Sequence, residues 1–206
     1  MMFAKRMKGA AAFSGALLIG CGLSVPLAKA GYIVMLVQDG NDVIATGSGT
    51  LDLAGLELRP DCTFGCTSDS ALLSPVFGAI VTGPVNFVPT RFYDGITGPA
   101  SFGSGEFIAP NGGSGDTVGI EGDLGILSVP LDYVSGSPLS DNSTYENQTL
   151  AGLGVIPGTY VWTWGSGATA DSFTLDIVST TVPEPSGLAL LALPLGLLLT
   201  ARRAAC

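Results

Sequence analysis

Pro157-Gly158-Thr159-Tyr160-Val161-Trp162-Thr163-Trp164-Gly165, followed shortly by Phe173-Thr174-Leu175-Asp176-Ile177-Val178, is the stretch that decides the fold. Side chains of an extended chain alternate between two faces. Tyr160, Trp162 and Trp164 therefore share one face, and Val161 and Thr163 share the other. In the second segment Phe173, Leu175 and Ile177 share a face. Two such runs around a Gly165-Ser166-Gly167 loop read as a β-hairpin, Tyr160–Trp164 with Phe173–Val178. Its matched apolar faces read as core between two sheets. The competing reading is an exposed platform on which sugar rings stack, formed by Tyr160, Trp162 and Trp164. Trp164, beside the glycine loop, is the best placed of the three for exposure.

The rest of the chain has the same texture. Gly 30 and Pro 13 together make about a fifth of the 206 residues, well above the usual share, so turns are frequent. No amphipathic helical pattern survives ten residues without Gly or Pro. Short strands bounded by turn residues recur instead. Tyr32–Gln38 and Val43–Thr46 flank the turn Asp39-Gly40-Asn41-Asp42 and form a first hairpin. Thr50–Leu58 alternates, with Leu51 and Leu53 on one face. Val76–Thr82, Val85–Val88, Phe107–Ala109, Val118–Glu121 and Leu124–Val129 are further candidates. The expected fold is all-β: an antiparallel β-sandwich, immunoglobulin-like or jelly-roll-like, over residues 31–180. The Pro157-Gly158-Thr159-Tyr160 corner resembles the point in immunoglobulin-like sandwiches where a Tyr hydroxyl ties down a turn. About 150 residues is enough to bury a single core.

Composition excludes several functions. There is no His, which removes His metal ligands and His general bases. Lys+Arg is 8 against Asp+Glu 17, so nothing would neutralise nucleic-acid phosphates. No G-x-S-x-G elbow is present, and no catalytic residue is assigned; the protein reads as a non-enzyme. A hydrolase using two carboxylates is the least favoured reading, since sequence does not fix their separation.

Cys62-Thr63-Phe64-Gly65-Cys66 suits a small disulfide loop in an exported chain, with Gly65 relaxing the tight backbone. A free or transient thiol pair is the alternative. A metal site there would lack soft partners. No cofactor is expected, and structural calcium is the one ion with candidate ligands. Asp39-Gly40-Asn41-Asp42 starts like a calcium loop, but Val43 and the missing Glu exclude an EF-hand. Gly112-Gly113-Ser114-Gly115-Asp116 is near a glycine-rich β-helix repeat, but it occurs once. Glu121 and Asp123 flank Gly122 and are placed to share an ion; solvated turn residues are the preferred reading. Asn142-Ser143-Thr144 and Asn147-Gln148-Thr149 fit the glycosylation sequon but read as polar loop residues.

The two ends read as addresses. Lys5, Arg6 and Lys8 precede an apolar stretch, Gly9–Val25, and then Ala28-Lys29-Ala30 before Gly31. This is a secretory signal over residues 1–30, cleaved by signal peptidase after Ala30. Leu18-Ile19-Gly20-Cys21 also resembles a lipoprotein box, in which Cys21 would be acylated. At the other end, Val182-Pro183-Glu184-Pro185-Ser186 precedes an apolar run of 15 residues, 187–201, and then Arg202 and Arg203. As a helix that run is about 22 Å long, short for a bilayer core, and Pro194 weakens it. The two arginines act as a stop-transfer signal and hold the end in the cytoplasm.

This tail, residues 181–206, resembles the PEP-CTERM sorting signal of Gram-negative bacteria. The resemblance rests on Pro183-Glu184-Pro185, the short apolar helix and the basic end, in that order. It implies recognition by exosortase and cleavage near the motif. An inner-membrane intermediate would then pass to the cell surface or the extracellular polysaccharide and biofilm matrix. The body also resembles a recurrent cargo type of that family, through Ala45-Thr46-Gly47-Ser48-Gly49-Thr50-Leu51, Tyr133-Val134-Ser135-Gly136-Ser137-Pro138-Leu139 and Pro157–Gly165. It brings no known activity to carry over. The expected function is a structural component of that matrix, with a carbohydrate-binding module as the alternative. With both ends removed, residues 31–185 keep two basic residues, Arg59 and Arg91, against all 17 acidic ones, a net charge of −15. Such a domain repels anionic polymers and favours neutral sugars or cation-bridged contacts.

Overall fold

The computed structural model describes residues 31–59 and 68–179. The expected C-terminal hairpin is present: β12 (Gly158–Trp164) and β13 (Asp171–Val178) pair antiparallel, with Trp162 opposite Phe173 and Tyr160 opposite Leu175. The N-terminal hairpin is present too. β1 (Tyr32–Asp39) and β2 (Asp42–Gly49) turn at Gly40, whose φ of 59° is a left-handed value that glycine adopts without strain. These two hairpins join side by side, β13 against β1, and this pairing is parallel. The first sheet is therefore mixed, which corrects the purely antiparallel sandwich expected from sequence. Parallel neighbours need a long connection, and here nearly the whole chain separates them.

The first sheet is completed by β11 (Leu139–Tyr145) and β8 (Gly112–Gly115), in the order β12-β13-β1-β2-β11-β8. The second holds β3 (Glu57–Leu58), β5 (Leu72–Ser74), β6 (Ala79–Thr82), β7 (Val88–Asp94), β9 (Val118–Glu121) and β10 (Ile126–Pro130). Its order is β3-β7-β10-β9-β6-β5, all antiparallel, and β4 (Ser68–Asp69) pairs with the start of β7. The sheets share one core. Tyr32, Val34, Leu36, Trp162, Phe173 and Leu175 of the first meet Leu73, Ile80, Val118, Ile120 and Leu127 of the second. This is the arrangement of a β-sandwich.

The expected strands differ in several places. Val76–Thr82 begins in a one-turn 3-10 helix, Pro75–Phe77, closed by Gly78 in a left-handed conformation, and is strand only from Ala79. Thr50–Leu58 is not continuous: the Asp52 side chain accepts from the Ala54 N–H at 3.0 Å and caps a one-turn 3-10 helix, Leu53–Gly55. A local side-chain cap has displaced the extended conformation there. Val85–Phe87 is bend, and only Val88 joins β7. Phe107–Ala109 makes a single bridge, Ile108 to Leu73. Conversely, Gly112–Gly115 and Asn142–Thr144, read as turn and loop, are strand.

Candidate functional site

The aromatic face of β12 belongs to the core. Trp162 is 0% exposed and Trp164 4%. Both indoles are hydrogen-bonded inward, Trp162 Nε1–H to the Pro99 carbonyl at 2.9 Å and Trp164 Nε1–H to the Asp52 carbonyl at 2.7 Å. Neither ring offers a face to a sugar, so the stacking role is corrected for both. Tyr160 is half-buried against Phe102, and its hydroxyl donates to the Ile156 carbonyl at 3.0 Å, tying down the turn before β12. The strand at the hairpin centre must bury one face, and its opposite face carries the shorter Val161 and Thr163.

A second concentration of polar groups is buried in the core. Tyr32 on β1 donates its hydroxyl to Asp141 on β11. Burial pushes the Asp141 carboxyl up to about 6, against the hydrogen bond from Tyr32, which favours the charged form. Burial and the neighbouring Asp141 charge likewise raise the Tyr32 hydroxyl. Ser143, on the same inward face, accepts from the Gly83 N–H at 3.1 Å and bridges the sheets. A perturbed carboxyl marks a functional site when it sits in a cleft. Asp141 and Tyr32 are enclosed, so this pair serves the fold.

The accessible chemistry lies on the outer face of the second sheet. Directly paired residues project to the same face, so Ser74, Ala79, Glu121 and Ile126 form a row across β5, β6, β9 and β10. Leu72, Ser74, Ala79 and Glu121 floor a groove of about 350 Å³, and Phe77, Phe107, Asp123 and Leu124 line its sides. Phe107 stands beside β5 because Ile108 bridges Leu73; Phe77 and Asp123 are held together by a 3.2 Å bond from the Asp123 N–H to the Phe77 carbonyl. Phe77 is 52% exposed and Phe107 65%. Large apolar groups so exposed, gathered around carboxylates, mark an interaction site.

Two further features sharpen this. Burial pushes the Glu121 carboxyl above its ordinary range, and the charges of Asp69 and Asp123 push the same way, offset by Arg59. Burial also raises the Asp69 carboxyl. Ser74, only 3% exposed, has no hydrogen-bond partner for its hydroxyl. Buried hydroxyls rarely go without one, so the groove holds an unmet polar group at its floor. A second, shallow groove of about 430 Å³ on the outer face of the first sheet, lined by Met35, Val37, Ile44 and Thr46, has no such group.

The other sequence-derived sites are accounted for as follows. Glu121 and Asp123 do fall in one groove, but among the described residues no three acidic or cysteine side chains gather to hold a metal ion. Asp42 is a turn group, its Oδ1 accepting from the Asn147 N–H at 2.8 Å. Asp116 Oδ2 accepts from the Ser140 N–H at 2.9 Å. Asn142 is on β11, its amide donating to Ser114 Oγ at 2.8 Å. Gly31 directly precedes β1. The remaining signal residues Ala28 and Ala30, the pair Cys62 and Cys66, the motif Val182–Ser186, and Arg202 and Arg203 lie outside the described residues. Phe77 and Phe107 were missed as site residues, because each is a lone aromatic in its segment and only the tertiary fold brings them to one groove.

Fold and site together define a class: a β-sandwich domain carrying an acidic, aromatic-walled groove. Comparison with protein-family models, curated proteins and solved structures finds no match.

Proposed function

We propose that the chain is an exported protein, sorted by exosortase through its PEP-CTERM tail, whose β-sandwich acts as a structural component of an extracellular polysaccharide or biofilm matrix. The observation that supports this reading is where the described strands lie relative to the two address segments. Among the described residues, all thirteen strands lie between Tyr32 and Val178. Signal cleavage before Gly31 and exosortase cleavage near Pro183-Glu184-Pro185 would both fall just outside them. Processing at either end would then spare every strand and core residue among the described residues. The acidic, lysine-free domain that remains fits an extracellular role beside uncharged or cationic polymers. Of the two sandwich types, the Tyr160 corner favours the immunoglobulin-like one.

The test is replacement of Pro183-Glu184-Pro185 by alanines, followed by intact mass and surface fractionation. The expected result is an unprocessed, larger protein retained at the inner membrane. Unchanged mass and unchanged surface delivery would overturn the sorting reading. An N-terminus mapped at Gly31 supports signal-peptidase cleavage, whereas an acylated Cys21 makes the protein a lipoprotein.

A further inference from the structure

We propose that the groove walled by Phe77 and Phe107 binds a cationic amino sugar, a hexosamine unit bearing a free ammonium group. This rests on the reading of the protein as a component of a polysaccharide layer and names the ligand class that would hold it there.

The argument matches three features of the groove to three features of the ligand. Exposed phenyl rings at Phe77 and Phe107, with Leu72 and Leu124, offer apolar surface to the C–H face of a sugar ring. The Ser74 hydroxyl, buried in the groove floor without a partner, calls for a hydrogen-bonding group from a ligand. Glu121 and Asp123 bring two like charges to one half-enclosed site, where the Asp123 charge opposes ionisation of Glu121. A cation placed between them reverses that repulsion and also meets the electron-rich ring faces. Arg59, the positive charge that acts on Glu121, is itself paired with Asp94 at 3.8 Å.

Other ligands fit less well. A metal ion would need more oxygen ligands than these two carboxylates, and the walls are apolar. An anionic sugar is repelled. A neutral sugar meets the rings and the serine but leaves the carboxylate repulsion in place. A groove of about 350 Å³ takes one or two sugar rings.

The test is calorimetric titration of the full chain with three probes: a short glucosamine oligosaccharide, its fully N-acetylated form, and a lysine peptide of the same charge. The glucosamine oligomer should bind, with acetylation weakening it about tenfold or more. Glu121→Gln, Asp123→Asn and Phe107→Ala should each weaken it about tenfold. Asp123 and Phe107 are exposed, so these two variants are expected to melt as the parent does. Asp176→Asn, on the outer face of the first sheet, should change nothing. Equal binding of the acetylated form overturns the cationic half of the proposal. Equal binding of the lysine peptide overturns the sugar half. No binding, or an equal loss in Asp176→Asn, overturns the site. A failed titration with normal processing refutes this site alone; normal delivery of the alanine-motif variant refutes the sorting reading alone.

Discussion

Replacing Asp141 by Asn should change how the stability of the sandwich depends on pH. In the folded protein burial holds the Asp141 carboxyl at about 6, whereas its ordinary value is 3.8. Between those values the native state keeps a proton that the unfolded chain has released. Stability then falls as pH rises. The sign is that of a raised pKa: the contribution is whole below pH 3.8 and gone above about pH 6. Its size is about 3 kcal/mol, from ~1.4 kcal/mol per pH unit between the two values. For a domain of this size that corresponds to roughly 6–12 °C of melting temperature. Asp69 and Glu121, raised in the same direction by burial, add to the trend. They remain in the variant, so the difference between the two proteins isolates Asp141. The buried Trp162 and Trp164 report unfolding, and urea titrations from pH 3.5 to pH 7.5 supply the free energies. The Asn amide will add a constant offset of its own, so the slope is the quantity to read. Parent and variant losing stability in parallel across that range would refute the reasoning, as would a parent that gains stability relative to the variant.

Further outcomes follow from the same packing. Gly47→Ala should cost about 1–3 kcal/mol in urea unfolding, because a Cβ there would fall onto the Tyr32 hydroxyl and within 2.5 Å of Asp141 Oδ1. Trp162→Ala should cost about 3–5 kcal/mol, and Tyr160→Phe only ~1 kcal/mol, since the first empties core volume and the second removes one exposed hydrogen bond. Tryptophan emission should be blue-shifted and unquenched by polysaccharide. Thiol labelling without reductant should leave Cys62 and Cys66 unmodified; modification of both would remove the disulfide. A chain ending at Thr181 should melt as the full chain does, whereas one ending at Ala170 should not fold, having lost β13 from the middle of its sheet.

The C-terminal hairpin was legible because its apolar residues alternate on one face. The N-terminal one was legible because a run rich in Ile and Val meets the turn Asp39-Gly40-Asn41-Asp42, although Ile33 and Met35 are apolar and exposed on its outer face. Tyr32, Val34 and Leu36 and their counterparts in β12 and β13 all point inward as the pattern requires. β11 was not legible, and the reason is chemical. Its inward face is Leu139, Asp141, Ser143 and Tyr145, so polar groups stand where hydropathy expects apolar ones. β8 was hidden because Gly and Ser carry no periodicity. The parallel joining of β1 to β13 leaves no local signal either; it is decided by which edges remain after both hairpins form. At the groove, Glu121 and Asp123 were visible as a carboxylate pair. Their aromatic walls come from a 3-10 helix ending at Phe77 and a single-bridge segment at Phe107, and no sequence spacing links those to residue 121. The Trp-rich stretch drew attention as a binding platform because aromatic content alone does not distinguish core from surface. The matching apolar face of β13 was the better guide.

If the chain is exported as proposed, the position of β13 bears on the order of events. It is the last strand among the described residues, yet it sits between β12 and β1, inside its sheet. β13 pairs with both neighbours, so under the proposed export the first sheet would be complete only once Val178 had been translocated. Eight residues, 179–186, then separate β13 from the apolar run. Extended, they reach about 26–29 Å. That reach would let the sandwich close while the proposed anchor still held the chain in the membrane. A fold that closed earlier would leave nothing in the tail's short retention to explain. A fold that needed the tail itself would be damaged by cleavage at the motif. An interior strand followed by only eight residues before the apolar run would meet both conditions, because the domain could finish folding before the proposed cleavage and would keep every contact among the described residues.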